Sequence, residues 1–246
     1  MSASLGDIGI ASLEYCKVSY PSRSRHKFFL MISHLALTPD SSFPIQLRQA
    51  NAALSHLIDK GISPKNIVIG GDSAGGSLVL QLASHVLHPL ASIPPPPVVS
   101  QAFAGAVLIS PWCSYNVDAP SYSRNDTKDL IPKRTYAFFP TLLKGGLTPE
   151  LQHHCEPLSA PASWWKGLDG VYARVLITAG EHEGPLDSIT ETSVMISQNV
   201  RDTATMVEPG GTHEEVIIKF ATGNGGSGKD YDGIVEFLSR SFQGGS

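Results

Sequence analysis

Charge is scarce in this sequence, and no long run carries one sign. Only 16% of the 246 residues are Asp, Glu, Lys or Arg, against about 25% in an average soluble protein. The net charge is -4. The basic stripe that tracks phosphates is missing, so nucleic acid is not an expected partner. Long apolar runs are missing too. The longest, residues 28–37, is interrupted by Ser33 and His34 and falls short of the ~20 residues that span a bilayer. Cysteine is rare: Cys16, Cys113 and Cys155 are odd in number and far apart. They form neither a disulfide framework nor a zinc spacing, which favours a reducing, cytoplasmic setting. The first ten residues lack a basic start followed by an apolar block, so no secretory signal is expected. What is abundant is apolar side chain, 41% of the chain. That suffices for a sizeable core and excludes disorder of the whole. The length fits one domain.

Before residue 28 the pattern is weak, with Arg23, Arg25, His26 and Lys27 reading as a solvated turn. Residues 28–37 have the length of a strand. Leu47, Ala50, Ala53, Leu54, Leu57 and Ile58 recur at helical steps, and Gly61 stops them. Residues 66–70 read as a short buried strand, with Ile67, Val68 and Ile69 uninterrupted as in parallel sheets. A helix is expected over 77–88, then strands over 104–109, 175–178 and 203–207. Further helices are expected over 186–198, 214–220 and 231–242. Residues 112–170 lack one clear period and read as a lid-like insertion of helices and loops over the sheet. Strands alternating with helices predict an α/β fold with a mainly parallel sheet and helices on both faces.

Gly71-Asp72-Ser73-Ala74-Gly75 fits G-x-S-x-G between a predicted strand and a predicted helix. That context makes a nucleophile elbow, a strained turn that presents a serine. Small residues are needed where strand and helix approach so closely. The first amides of the following helix, those of Ala74 and Gly75, are free to meet a developing oxyanion. A serine needs a base. In this type of elbow fold the order along the chain is serine, acid, histidine. His213 lies in the small-residue loop Pro209-Gly210-Gly211-Thr212-His213 after a strand near the C-terminus. His153 and His154 precede the candidate acids and read as surface or lid residues. The acid belongs after the strand over 175–178, where Glu181, Glu183 and Asp187 compete. Glu183 is preferred because it can turn back toward His213. Asp187 is the alternative, although a carboxylate there suits the first turn of the next helix.

With these residues in place, the chain resembles the hormone-sensitive-lipase-like group of α/β-hydrolases, in particular its fungal esterase-like members. Gly71-Asp72-Ser73-Ala74-Gly75-Gly76 resembles the group's elbow. Leu37-Thr38-Pro39-Asp40 with Phe43-Pro44 resembles the segment before its first helix, and Ser110-Pro111-Trp112 and Trp164-Trp165 resemble further blocks. Ala179-Gly180-Glu181-His182-Glu183 is similar to its acid segment, which supports Glu183, and the loop ending at His213 is similar to its histidine loop. The resemblance implies an α/β-hydrolase fold and cleavage of small or medium acyl esters through a Ser73–His213–Glu183 triad, with no cofactor. The group's H-G-G-G oxyanion block has no counterpart before Ser73, where Gly6-Asp7-Ile8-Gly9 is the nearest glycine pair. The resemblance therefore implies a sheet short of the group's first strands and an oxyanion hole with fewer donors. It leaves as an alternative a ligand-binding relative with impaired catalysis.

Three other features read as decoys. The run from Gly223 to Lys229 approaches a phosphate-binding loop, but Asp230 stands where a hydroxyl belongs and a helix precedes it. Asn125-Asp126-Thr127 is a glycosylation sequon, idle without a secretory route. His153-His154-Cys155 point in different directions and make no metal site. Trp112, Trp164 and Trp165 could line an acyl pocket, with core packing expected for at least two of them.

Overall fold

A computed structural model describes residues 9–14, 17–19, 28–34, 43–142 and 147–243. Among the described residues seven strands form one sheet in the order β2-β1-β3-β4-β5-β6-β7. They are β1 (Gly9–Glu14), β2 (Lys17–Ser19), β3 (Phe28–His34), β4 (Ile67–Asp72), β5 (Gly105–Ile109), β6 (Val175–Gly180) and β7 (Thr203–Glu208). Among the described strands only the β1–β2 pair is antiparallel. β1 to β7 otherwise pair in parallel. β1 and β2 fall in the weakly patterned stretch where the sequence alone predicts no strand. The basic residues 23 to 27, Cys16, Gly6-Asp7-Ile8 and Leu37-Thr38-Pro39-Asp40 lie outside the described residues.

The strands β4, β5 and β6 read as unbroken apolar runs because both of their faces are covered. Ile67 and Ile69, Ala106 and Leu108, and Val175 and Ile177 point into one core. That core also takes α1 (Ile45–Asp59), α2 (Ala74–Leu87) and α6 (Leu186–Ser197) through residues such as Leu54, Leu82 and Ile196. The alternate residues Val68, Val107, Ile109 and Leu176 point the other way. They meet α7 (Glu215–Ala221) and α8 (Lys229–Gln243) through Val216, Phe237 and Phe242. The period of two along each strand thus sorts side chains onto two helical layers.

The described part of residues 112–170 holds three short α-helices, α3 (Pro120–Arg124), α4 (Lys133–Phe138) and α5 (Pro149–Cys155), together with short 3-10 helices and turns. Of the two readings of His154, surface or lid, the burial fits the lid: it is buried in α5, and its Nδ1 lies 2.8 Å from Ser84 Oγ on α2. The reason is helical geometry: in α5 His153 and His154 leave about 100° apart, and only one can face α2. Trp165 is fully buried, and Trp164 packs against the same core. Trp112 joins Tyr122 and Tyr136 in a separate aromatic cluster. Among the described residues no helix is long and apolar enough to cross a membrane.

Candidate active site

The carboxyl ends of parallel strands are where an open α/β sheet builds its sites. Four consecutive strands each deliver one polar residue there. Ser73 follows β4, Ser110 follows β5, Glu183 lies just past β6 and His213 lies just past β7. The ladder sets their relative heights, because Asp72 pairs with Ile109, Ile109 with Thr178, and Gly180 with Glu208.

Ser73 sits at φ 49, ψ -114, between strand and helix. Its N–H donates to Ile109 O at 2.8 Å, and its carbonyl accepts from Ser77 at 3.1 Å and Trp112 at 3.0 Å. These bonds hold the strained turn from three sides. Helix α2 begins at Ala74, three residues earlier than its pattern predicts, because Gly75 and Gly76 serve the elbow and do not break the helix. A Cβ on Gly76 would come within 2.9 Å of Pro111 Cβ, so strand ends and helix can approach only with glycine there. The amides of Ala74, Gly75 and Gly76 precede the first helical bond, that of Ser77 to Ser73.

His213 Nε2 lies 2.8 Å from Ser73 Oγ. Its Nδ1 lies 3.0 Å from Glu183 Oε2. A carboxylate only accepts, so Nδ1 carries the proton and Nε2 presents its lone pair to the serine hydroxyl. Both Glu183 and His213 are almost fully buried, while Ser73 is half-buried and Ala74 exposed. Burial opposes the imidazolium. The hydrogen bond and charge of Glu183, with Glu214 and Asp129 nearby, outweigh it and lift the His213 pKa above its ordinary value. Burial also raises Glu214, to about 7; His213 opposes that rise, while Asp72 adds to it.

Of the competing carboxylates, Glu183 alone reaches His213. Asp187 accepts the Ser121 N–H at 2.8 Å and pairs with Arg124 at 3.3 Å. Glu181 accepts the Gly210 N–H at 2.8 Å. Several partners are invisible in the sequence patterns. Ser110 donates to Glu183 Oε1 at 2.6 Å and accepts the Glu214 N–H at 3.1 Å. Asn125, the sequon asparagine, is buried and donates to the carbonyls of Glu183 at 2.8 Å and Glu181 at 3.2 Å. The sequence marks Ser110 only as part of the Ser110-Pro111-Trp112 block and Asn125 only as a sequon, and neither signal points to Glu183. Among the described residues three non-glycine residues have positive φ, namely Ser73, Ser110 and Glu214, and all three stand in this site.

Tyr136 meets the His213 ring edge-on at 5.8 Å, and Trp112 and Phe139 extend the aromatic wall. The glycine-rich loop before α8 lies elsewhere, and its helix N-terminus already holds an anion. Glu208 accepts the Lys229 N–H at 2.6 Å and pairs with Lys219 at 3.2 Å. A phosphate there would meet a carboxylate. Among the described residues no group of three or more His, Cys, Asp or Glu could hold a metal ion.

Residues 30–217 match a family described as alpha/beta hydrolase fold. The Mycobacterium tuberculosis protein LipR is 38% identical over 80 residues, 32% of this chain and 23% of that protein. An acetyl-hydrolase of Streptomyces hygroscopicus is 31% identical over 98 residues, 40% of this chain and 30% of that protein. The aligned stretches thus span less than a third of either relative. In three dimensions the chain is similar to an esterase of the bacterial hormone-sensitive lipase family. The TM-score is 0.70 at 21% identity, covering 91% of this chain and 78% of that one.

Proposed function

This chain belongs to the alpha/beta hydrolase fold family, and we propose that it hydrolyses carboxylic esters of small or medium acyl groups through a Ser73–His213–Glu183 triad. The observation that carries this reading is the continuous line of hydrogen bonds, 2.8 Å from Ser73 to His213 and 3.0 Å from His213 to Glu183. Ser73 Oγ attacks the ester carbonyl as His213 Nε2 takes its proton. Glu183 holds the imidazole in the productive tautomer and stabilises the cation that forms. The oxyanion is met by the amides of Ala74 and Gly75 at the positive end of α2. The protonated His213 returns its proton to the leaving alkoxide. It then activates water against the acyl-enzyme, and Ser73 is regenerated. The cycle uses only these side chains and amides.

Trp112, Tyr136 and Phe139 offer apolar walls for an acyl group, and residues 112–170 act as a cover over the sheet of a single domain. The acetyl-hydrolase name of the Streptomyces relative supports a short acyl chain. The buried free thiols of Cys113 and Cys155 suit a cytoplasmic setting; burial lifts the Cys113 pKa to about 12, so it stays an inert thiol.

A second reading, a ligand-binding relative without turnover, is favoured by the lack of an H-G-G-G match within residues 1–72. Loss of one oxyanion donor typically costs about 10²–10³ in rate. A fluorophosphonate probe with p-nitrophenyl acetate and butyrate separates the two. We expect wild type to be labelled and to turn over, and Ser73→Ala to do neither. A cooperatively folded wild type that neither labels nor cleaves overturns the hydrolase reading.

A further inference from the structure

Asp129 lies in the turn after α3, outside the serine–histidine–glutamate line. Its two carboxylate oxygens are divided between two loops. Oδ1 accepts the His213 N–H at 2.9 Å and the Leu130 N–H at 2.7 Å. Oδ2 accepts the N–H of Gly184, next to Glu183, at 2.7 Å. One loop leaves β6 and the other leaves β7. On the sheet side the same loops are already joined: the His182 N–H donates to Gly211 O at 2.8 Å, and the Gly210 N–H donates to Glu181 at 2.8 Å. Asp129 joins them a second time, at residues farther along each loop from its strand. Ser121 and Asn125 from the same segment also grip the acid loop, at Gly184 O and Glu183 O, but neither of them bonds to His213.

We propose that Asp129 is a positioning residue that holds base and acid in register and adds negative charge in favour of the His213 cation. The proposal rests on the ester-hydrolase reading. A carboxylate is the right group for the place, because it accepts with both oxygens. Asparagine must turn an NH₂ toward one of the two amides. A small displacement of the acid–base pair is amplified in rate, since about 1 Å of misplacement costs about 10²-fold. The other charged groups facing His213 are Glu183 and Glu214, and Asp72 acts on Glu214.

The test compares full-length wild type with Asp129→Asn, Asp129→Glu and Asp126→Asn. Asp126 sits in the same turn but accepts only the Lys133 N–H, at 2.6 Å. Two readouts are taken on folded protein: the pH profile of turnover, and the NMR titration of the His213 ring. In Asp129→Asn we expect kcat to fall about 10- to 100-fold with KM within about threefold. The His213 titration and the acidic limb of kcat/KM should move to lower pH together. Asp129→Glu keeps the charge, so it should keep the titration and still lose kcat. Asp126→Asn should match wild type in both. An unmoved titration together with kcat within about threefold in Asp129→Asn overturns the proposal. So does a change in Asp126→Asn equal to that in Asp129→Asn. A wild type that folds without turnover sinks the ester-hydrolase reading, and the ring titration still decides the case of Asp129.

Discussion

Replacing Gly71 by alanine should damage both the fold and the serine. A Cβ at this position would lie 2.3 Å from Gly75 O, 2.4 Å from Gly75 C and 2.9 Å from Gly76 N. Ordinary carbon contacts are about 3.5–4.0 Å, so strand and helix must part by roughly 1 Å. Neither obstacle is a side chain that can swing away. Both are backbone at the start of α2, whose residues Leu78, Val79, Leu80 and Leu82 are locked in the core. Overpacking of a well-filled interior costs about 1–3 kcal/mol and occasionally more. We expect the upper end, about 3 kcal/mol. At roughly 2–4 °C per kcal/mol for a domain of this size, Tm should fall by about 6–12 °C. Ser73 lies on the turn that must move, so the same displacement should slow its chemistry by about 10²-fold. The control is Gly170→Ala, whose Cβ would have nothing within 4 Å. It should be neutral, or stabilising by about 0.4–1 kcal/mol through the unfolded chain. Thermal melts give the first number. The rate of fluorophosphonate labelling, taken where all variants are folded, gives the second. A Gly71→Ala protein that melts with Gly170→Ala and labels within about threefold of wild type would refute the reasoning.

Turnover needs neutral His213, whose pKa is held above the ordinary histidine value. The acidic limb of kcat/KM should therefore lie above about pH 6.5, and Glu183→Gln should shift it to lower pH while reducing kcat by about 10⁴-fold; a limb unmoved by that change would contradict the assignment. Burial holds the Glu214 pKa near 7, against the pull of His213 and with the help of Asp72. The unfolded chain gives up this proton first, so stability declines as pH rises from about 4.5 to about 7. Glu214→Gln should then be more stable than wild type at pH 8, by on the order of 1–3 kcal/mol, and show no gain at pH 4; urea titrations that differ equally at both pH values would exclude this. Ser110→Ala removes the donor to Glu183 and the acceptor for the Glu214 amide. We expect a loss of about 1–3 kcal/mol, and an unchanged denaturation midpoint would show that the network is slack.

The central strands were legible because their causes are local. Ile67 to Ile69 are apolar without interruption, and a strand covered on both faces requires that. Ser73 and His213 stood out through the small residues around them, which any close approach of backbone demands. Other features depend on distance along the chain. Ser110 reaches the Glu214 amide 104 residues away, and Asp129 reaches His213 84 residues away. No periodicity encodes such pairs. Asn125 carried a sequon that masks its role as a buried donor. The early start of α2 escaped because glycine lowers helix propensity, and here close packing against Pro111 overrode that preference. His153 and His154 were not told apart because two adjacent histidines look alike until α5 is seated on α2.

The positive φ angles of Ser73, Ser110 and Glu214 bear on how this protein responds to selection. A non-glycine residue held in such a region costs about 1–3 kcal/mol, and here the cost is concentrated where the strands β4, β5 and β7 hand over to their loops. A laboratory screen that rewards heat resistance alone would therefore draw Glu214 toward glycine, which relaxes the backbone and removes the side chain together, whereas at Ser110 the lost hydrogen bonds offset the relief. Variants recovered that way would be sturdier and catalytically poorer. A screen that demands both properties must find its gains elsewhere, at exposed positions such as Val98, Val194 and Phe220, and leave the strained corners as they are.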